Sequence, residues 1–199
     1  EHLLLTGATV VPVSLGVAHG YPDVDAWLDV ALGRTSGHIY ARNTNPTVEA
    51  FEGKIRALEH AEDASGFSSG MAAISNTFFA LLKPGDRVVS VKDTYGGTSH
   101  LFLNTLPRWG VEVTLCDTAD ADAIERAIGA GCALLYLETP TNPTLKVTPI
   151  ARLAAAGRRA GATVVVDNTS ATPLNQSPLA RGADLVIHSA TKYLGGHAD

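Results

Sequence analysis

From residue 70 onward the chain repeats one pattern, a helix-length stretch with apolar residues on one side followed by a short run that is apolar almost throughout. The helix-type stretches are GMAAISNTFFALL (70–82), Thr98 to Leu106, DADAIERAIGA (120–130) and PIARLAAAGRRAG (149–161), the last opened by Pro149 and closed at Gly161. The short runs are RVVSV (87–91), VEVTLC (111–116), ALLYLE (133–138), TVVVD (163–167) and ADLVIHS (183–189). Strands apolar on both faces must be covered on both sides, and a helix between successive strands makes parallel neighbours. The pattern therefore predicts an α/β domain with a mainly parallel sheet and helices on both faces.

Residues 1–44 read differently. Pro12, Gly16, Gly20, Pro22, Gly33 and Gly37 punctuate short apolar pieces, as in an arm that borrows burial from elsewhere. At Asn45 a helix is predicted, with Asn45 as cap, Pro46 in the first turn, and Val48, Phe51, Ile55 and Leu58 at helical spacing. The expected organisation is thus an arm over 1–44 and an α/β domain over 45–199.

Composition narrows the function classes. A formal charge of -5 and a pI near 5.8 leave no basic stripe for a phosphate backbone, which argues against nucleic acid. No apolar run approaches the roughly 20 residues a bilayer requires, and EHLLLTGATVVP lacks the basic start of a secretory leader, so a cytoplasmic location is expected. Cys116 and Cys132 sit on or beside apolar runs and read as buried thiols. The seven histidines show no metal-ligand spacing, and no metal is expected.

Open parallel sheets bind ligands beyond the carboxyl ends of their strands. The residues there are Tyr95 after the first strand, Glu138 and Asn142 after ALLYL, Asp167 and Asn168 after TVVV, and Ser189, Thr191 and Lys192 after DLVIH. In SSGMAAI (68–74) small residues lead into a helix, so the backbone N–H groups of Gly70 and Met71 are free to meet an anion. Neither GxGxxG nor GxxxxGK[ST] is present, which disfavours dinucleotides and P-loop nucleotides. A lysine at a strand end is most often a solvated charge, and an aspartate there is often a turn cap. Together, however, a carboxylate for a pyridinium, a lysine for a Schiff base, a helix start for a phosphate and an aromatic ring for stacking match pyridoxal 5'-phosphate (PLP).

The stretch VVVDNTSATPLNQSPLARGADLVIHSATKYLGGHAD, with SSGMAAI, DTYGGT, YLETPTNPT and YARNTNPT, resembles the Cys/Met-metabolism family of PLP-dependent enzymes. That group contains methionine γ-lyase, cystathionine γ-lyase, cystathionine γ-synthase and O-acetylhomoserine sulfhydrylase. The resemblance runs from about Ala8 to the end and implies an aspartate-aminotransferase-like (fold type I) large domain. It implies Lys192 as the Schiff-base lysine and proton shuttle, Asp167 as partner of the pyridine nitrogen, and Tyr95 stacked on the ring. Gly70, Met71, Ser189 and Thr191 would hold the phosphate, with Ser69, Glu138, Asn142 and Thr169 completing the cofactor-binding set. Tyr40 and Arg42 would reach the phosphate in a neighbouring subunit's site, Tyr40 counting also among the catalytic residues. A homodimer with shared active sites, assembling into a tetramer, is implied.

Relatives run to about twice this length and use a later arginine for the substrate carboxylate, so a longer parent with a C-terminal small domain, absent from this chain, is expected. Cues to the reaction conflict. Ile39 precedes Tyr40 where cystathionine-handling enzymes tend to carry an acid, which resembles the lyase and sulfhydrylase side. Gly97 stands where methionine γ-lyase carries a cysteine, and Ser170 replaces the aromatic usual in DNTxATP. The leading expectation is a C–S lyase acting on a sulfur amino acid, whether methionine, cystathionine or cysteine. A γ-replacement enzyme comes second, and a non-catalytic remnant or a nucleotide-binding domain are the readings from other classes.

Overall fold

The computed structural model describes Gly7 and residues 9–197, and the chain divides by contacts into two units, one up to Gly66 and one from Phe67. In the first unit, α1 (Val24–Ala31) was not anticipated within the arm. Its signals are present but short: Asp23 accepts the Ala26 N–H at 2.8 Å as an N-cap, and the helix runs for only 8 residues between glycine-rich flanks. The predicted helix after Asn45 forms as α2 (Pro46–Glu59), the Asn45 side chain accepting from Thr47 and Val48. Helix α2 belongs with the N-terminal unit, so the contact boundary lies past it and not at residue 45. Within this unit the chain folds back on itself at the Ala18–Tyr40 bridge, and the Tyr21 hydroxyl donates to the His38 carbonyl at 3.0 Å.

The second unit holds the predicted sheet. Its elements are α3 (Gly70–Leu81), β1 (Arg87–Val91), α4 (Gly96–His100), a π turn (Leu101–Thr105), α5 (Leu106–Arg108), β2 (Glu112–Cys116), α6 (Ala121–Gly129), β3 (Leu134–Glu138), α7 (Ile150–Arg159), β4 (Thr163–Asp167), α8 (Thr172–Asn175), a 3-10 turn (Leu179–Arg181) and β5 (Leu185–Ile187). The stretch expected as one helix over 98–106 is broken by the π turn just ahead of Pro107, which has no N–H to continue an α-helical ladder.

All strand pairs are parallel, in the order β2-β1-β3-β4-β5. The order reverses between β1 and β3, and the loops leaving those two strands diverge there to open a crevice. Alternation along the strands divides the core in two. Val89, Leu135, Leu137, Val164 and Val166 face α6 and α7 through Ile124, Ile128 and Leu153, whereas Val88, Leu134, Tyr136 and Val165 face α3 and the π turn through Phe78 and Phe102. Helix α7 lies tightly against β4, since a Cβ on Gly157 would stand 2.8 Å from Val164 Cγ2.

Parity and register together place two acids side by side. Glu138 ends β3, Asp167 ends β4, and the two are register partners. Glu138 spans the crevice as a clasp: Oε2 accepts the Tyr95 N–H at 2.6 Å from the β1 loop, and Oε1 accepts the Asn142 N–H at 3.3 Å from the β3 loop. Burial pushes its carboxyl up to about 7, the charge of Asp167 adding to the rise and the two N–H donors opposing it.

Two outcomes follow from this packing. Gly157→Ala should lower stability by about 1–3 kcal/mol in urea denaturation, because neither the helix nor buried Val164 has room for a methyl group. The raised Glu138 pKa means that the native state binds more protons than the unfolded state above the ordinary glutamate value. Glu138 should therefore cost the cofactor-free protein stability as pH rises from about 5 through about 7, and that component of the slope should vanish in Glu138→Gln, as measured by denaturation midpoints across pH.

Candidate active site

At the carboxyl edge of the sheet lies a cleft of about 770 Å³. Helix α3 begins at its wall. Ser69 caps the helix, its hydroxyl accepting from Ala72 N–H at 3.1 Å and its carbonyl from Ala73 N–H at 3.0 Å. The N–H groups of Gly70 and Met71 belong to the first turn and have no carbonyl within the helix to bond. Glycine at 70 is required by proximity, because a Cβ there would come within 2.8 Å of Ser189 Cβ. The helix start and the end of β5 thus form one small cradle, with backbone donors on one side and the Ser189 and Thr191 hydroxyls also lining the cleft.

The β4–β5 side is held by short bonds between neighbouring strand ends. Ser189 N–H donates to Thr169 Oγ1 at 2.8 Å, and Thr169 N–H donates to Asp167 Oδ1 at 3.0 Å. Asp167 is only 6% exposed, yet its carboxylate lines the cleft, and its Oδ2 accepts the Tyr136 hydroxyl at 3.1 Å. Beyond Ser189 the backbone turns tightly: Lys192 N–H donates to the Ser189 carbonyl at 3.1 Å, Gly195 N–H to Ala190 at 2.7 Å, and Gly196 N–H to Lys192 at 2.9 Å. A Cβ on Gly195 would meet the Ala190 oxygen at 2.7 Å, and Gly196 takes φ +72°, so the two glycines allow the turn that presents Lys192 to the cleft.

Tyr95 stands on the opposite wall at the start of α4, its ring half exposed. Gly97 leaves the space that Met71 fills, since a Cβ there would fall 2.6 Å from Met71 Sδ and 3.0 Å from the Tyr95 ring. Eleven residues singled out from the sequence therefore meet in one cleft: Ser69, Gly70 and Met71 from α3, Tyr95, Glu138 and Asn142 at the crevice, and Asp167, Thr169, Ser189, Thr191 and Lys192 at the β4 and β5 ends. Tyr40 and Arg42 belong to the N-terminal unit, where the Arg42 guanidinium carbon lies 4.8 Å from the centre of the Tyr40 ring. Ile74, Ser170, Tyr193 and His197 also line the cleft. Buried Tyr136 was missed, because a tyrosine within an apolar strand reads as core; its position two residues before Glu138, hence on the same face, was the available signal.

The cradle, the fixed buried carboxylate, the accessible aromatic face and the primary amine form a donor set that fits a flat, phosphorylated, cationic ring such as PLP. Among the described residues no group of three or more His, Cys, Asp or Glu side chains could hold a metal ion, and no helix is long and apolar enough to cross a membrane. Cys116 and Cys132 are both free and buried, and burial pushes both thiols up.

Comparison with known proteins points to the same cofactor. A model of the Cys/Met metabolism PLP-dependent enzyme family matches residues 3–199. The chain is 42% identical to L-methionine gamma-lyase of Pseudomonas putida over 193 residues, covering 97% of this chain and 48% of the relative. It is 44% identical to cystathionine gamma-synthase of Mycobacterium tuberculosis over 194 residues, covering 98% and 48%. The crystal structure of cystathionine gamma-lyase from Lactobacillus plantarum superposes with a TM-score of 0.88 at 39% identity, covering 98% of this chain and 49% of that one. The chain spans about half the length of the relatives it matches, and its sheet is that of a fold type I large domain. On its sequence, its fold and the groups gathered at its cleft, the chain belongs to the Cys/Met metabolism PLP-dependent enzyme family.

Proposed function

We propose that this protein is a PLP-dependent carbon–sulfur lyase acting on a sulfur amino acid, with methionine γ-lyase-like elimination as the leading reaction. The observation that carries the reading is that Asp167 and Lys192 line the same cleft as the glycine cradle formed by Gly70 and Ser189. The first turn of α3, with Ser189 and Thr191, would hold the phosphate. The Asp167 carboxylate would hold positive charge at the ring nitrogen, and Tyr95 would offer its face for stacking on the ring. Lys192 Nζ would be the amine that holds the cofactor and, when free, the base positioned to take the proton from the substrate Cα. When bound, PLP supplies an electron sink that acidifies that Cα–H and allows a sulfur leaving group to depart.

Apolar Ile39 beside Tyr40 supports elimination over cystathionine synthesis. The second reading, γ-replacement on an activated homoserine, has its own support at Gly97, which stands where methionine γ-lyase carries a cysteine, the YGGT stretch resembling the cystathionine enzymes instead. The two free buried thiols accord with a reducing, cytoplasmic setting. Tyr40 and Arg42 serve the phosphate of a neighbouring subunit's site, in a homodimer with shared active sites that pairs into a tetramer. The bidentate guanidinium of Arg42 suits a phosphate dianion.

Incubation with methionine, cystathionine, cysteine and O-acetylhomoserine in turn, with assay of α-keto acid, should give most product from methionine. No α-keto acid from any of the four, with acetate and a new sulfur-containing amino acid formed when O-acetylhomoserine is supplied together with a thiol, would favour replacement. Lys192→Ala should lose both turnover and the visible absorbance of the covalently held cofactor; retention of both sinks the assignment. Arg42→Ala and Lys192→Ala, each inactive alone, should recover about a quarter of wild-type activity when their subunits are mixed, because each hybrid dimer then has one intact shared site. No recovery in demonstrably mixed dimers would mean that Arg42 serves its own subunit.

A further inference from the structure

Tyr136 is fully buried, with its ring packed edge-on to Phe78 and Phe102 at centroid distances of 5.4 and 5.5 Å. It lies two residues before Glu138 on β3, so both side chains point to the same face of the sheet as Asp167 on β4. Its hydroxyl donates to Asp167 Oδ2, while Thr169 N–H donates to Oδ1. Burial, followed by the charges of Asp167 and Glu138, pushes the phenol well above its ordinary value, so the group stays a proton donor across the working pH range. The setting of Asp167 is adverse for an anion, being buried and in register with another acid. Its two oxygens are held in place by those two donors, one from β3 and one from the turn after β4. Tyr136 does not line the cleft, so any effect on a bound molecule must pass through Asp167.

We propose that Tyr136 is a positioning residue whose hydroxyl fixes the orientation of the Asp167 carboxylate, and so sets how fully the ring nitrogen of the bound cofactor is protonated. The inference rests on the proposed pairing of Asp167 with that nitrogen. Once the phenol donor is lost, Thr169 N–H alone holds the carboxylate, its alignment with the ring nitrogen is loosened, and the ring is left nearer its neutral form, a poorer electron sink. Tyr136→Phe removes only the hydroxyl and keeps the aromatic packing.

The test loads wild type, Tyr136→Phe and Asp167→Asn with PLP carrying the heavy nitrogen isotope and reads the ring-nitrogen NMR shift. Wild type should give the protonated value, Asp167→Asn the neutral one, and Tyr136→Phe a value displaced toward neutral at the same pH. With the best amino acid substrate, Tyr136→Phe should lose roughly tenfold in kcat with KM changed less than about twofold, as for the loss of one hydrogen bond to a charged group felt after binding. A Tyr136→Phe shift equal to wild type, beside a displaced Asp167→Asn shift, overturns this inference and leaves the function proposed above intact. An unmoved shift in Asp167→Asn overturns both. Should Tyr136→Phe not fold, the exchange-protected phenol proton of wild type should move when PLP is added, and an unchanged resonance also overturns the inference.

Discussion

The in-register pairing of β3 with β4 is the constraint around which the site is arranged. Strand alternation and that register put Glu138 and Asp167 next to each other at the carboxyl edge, both nearly excluded from water. Two buried acids in that position must be compensated locally. The chain does so with the N–H groups of Tyr95 and Asn142 on one carboxyl, and with Thr169 N–H and the Tyr136 hydroxyl on the other. Those same donors fix the loops after β1 and β3 and the turn after β4, so the electrostatic compensation also shapes the cleft wall.

Close backbone approach supplies the remainder. Gly70 lets the start of α3 meet the end of β5, and Gly195 with Gly196 lets the chain double back so that Lys192 lines the cleft. Beneath them the sheet is held from its far face by α6 and α7, where Gly157 brings a helix backbone against Val164. A site assembled from strand ends inherits the stiffness of those strands, which favours fixed positions for the groups that line the cleft.

Much of this was legible in the sequence for a physical reason. Continuous apolar runs such as TVVVD and amphipathic stretches such as ADAIERAIG report burial on two faces and on one, and each formed the element its period predicts. Departures occur where local signal is weak. Helix α1 has a cap but little length, Pro107 follows a π turn in what reads as a uniform helix, and α8 forms within a polar loop over Thr172–Asn175. The boundary near residue 45 depended on a change of pattern, whereas α2 groups by contacts with the segment before it.

The sequence by itself determined the strands, the helices and the order in which Tyr95, Asp167, Ser189 and Lys192 follow strand ends, because these depend on periodicity and on adjacency along the chain. Only the tertiary structure decided that β3 lies between β1 and β4, that Glu138 therefore clasps two loops, and that Tyr136 bonds to Asp167. Strand order and register arise from how helices and side chains fill the two faces of the sheet together, and no local stretch of residues contains that information.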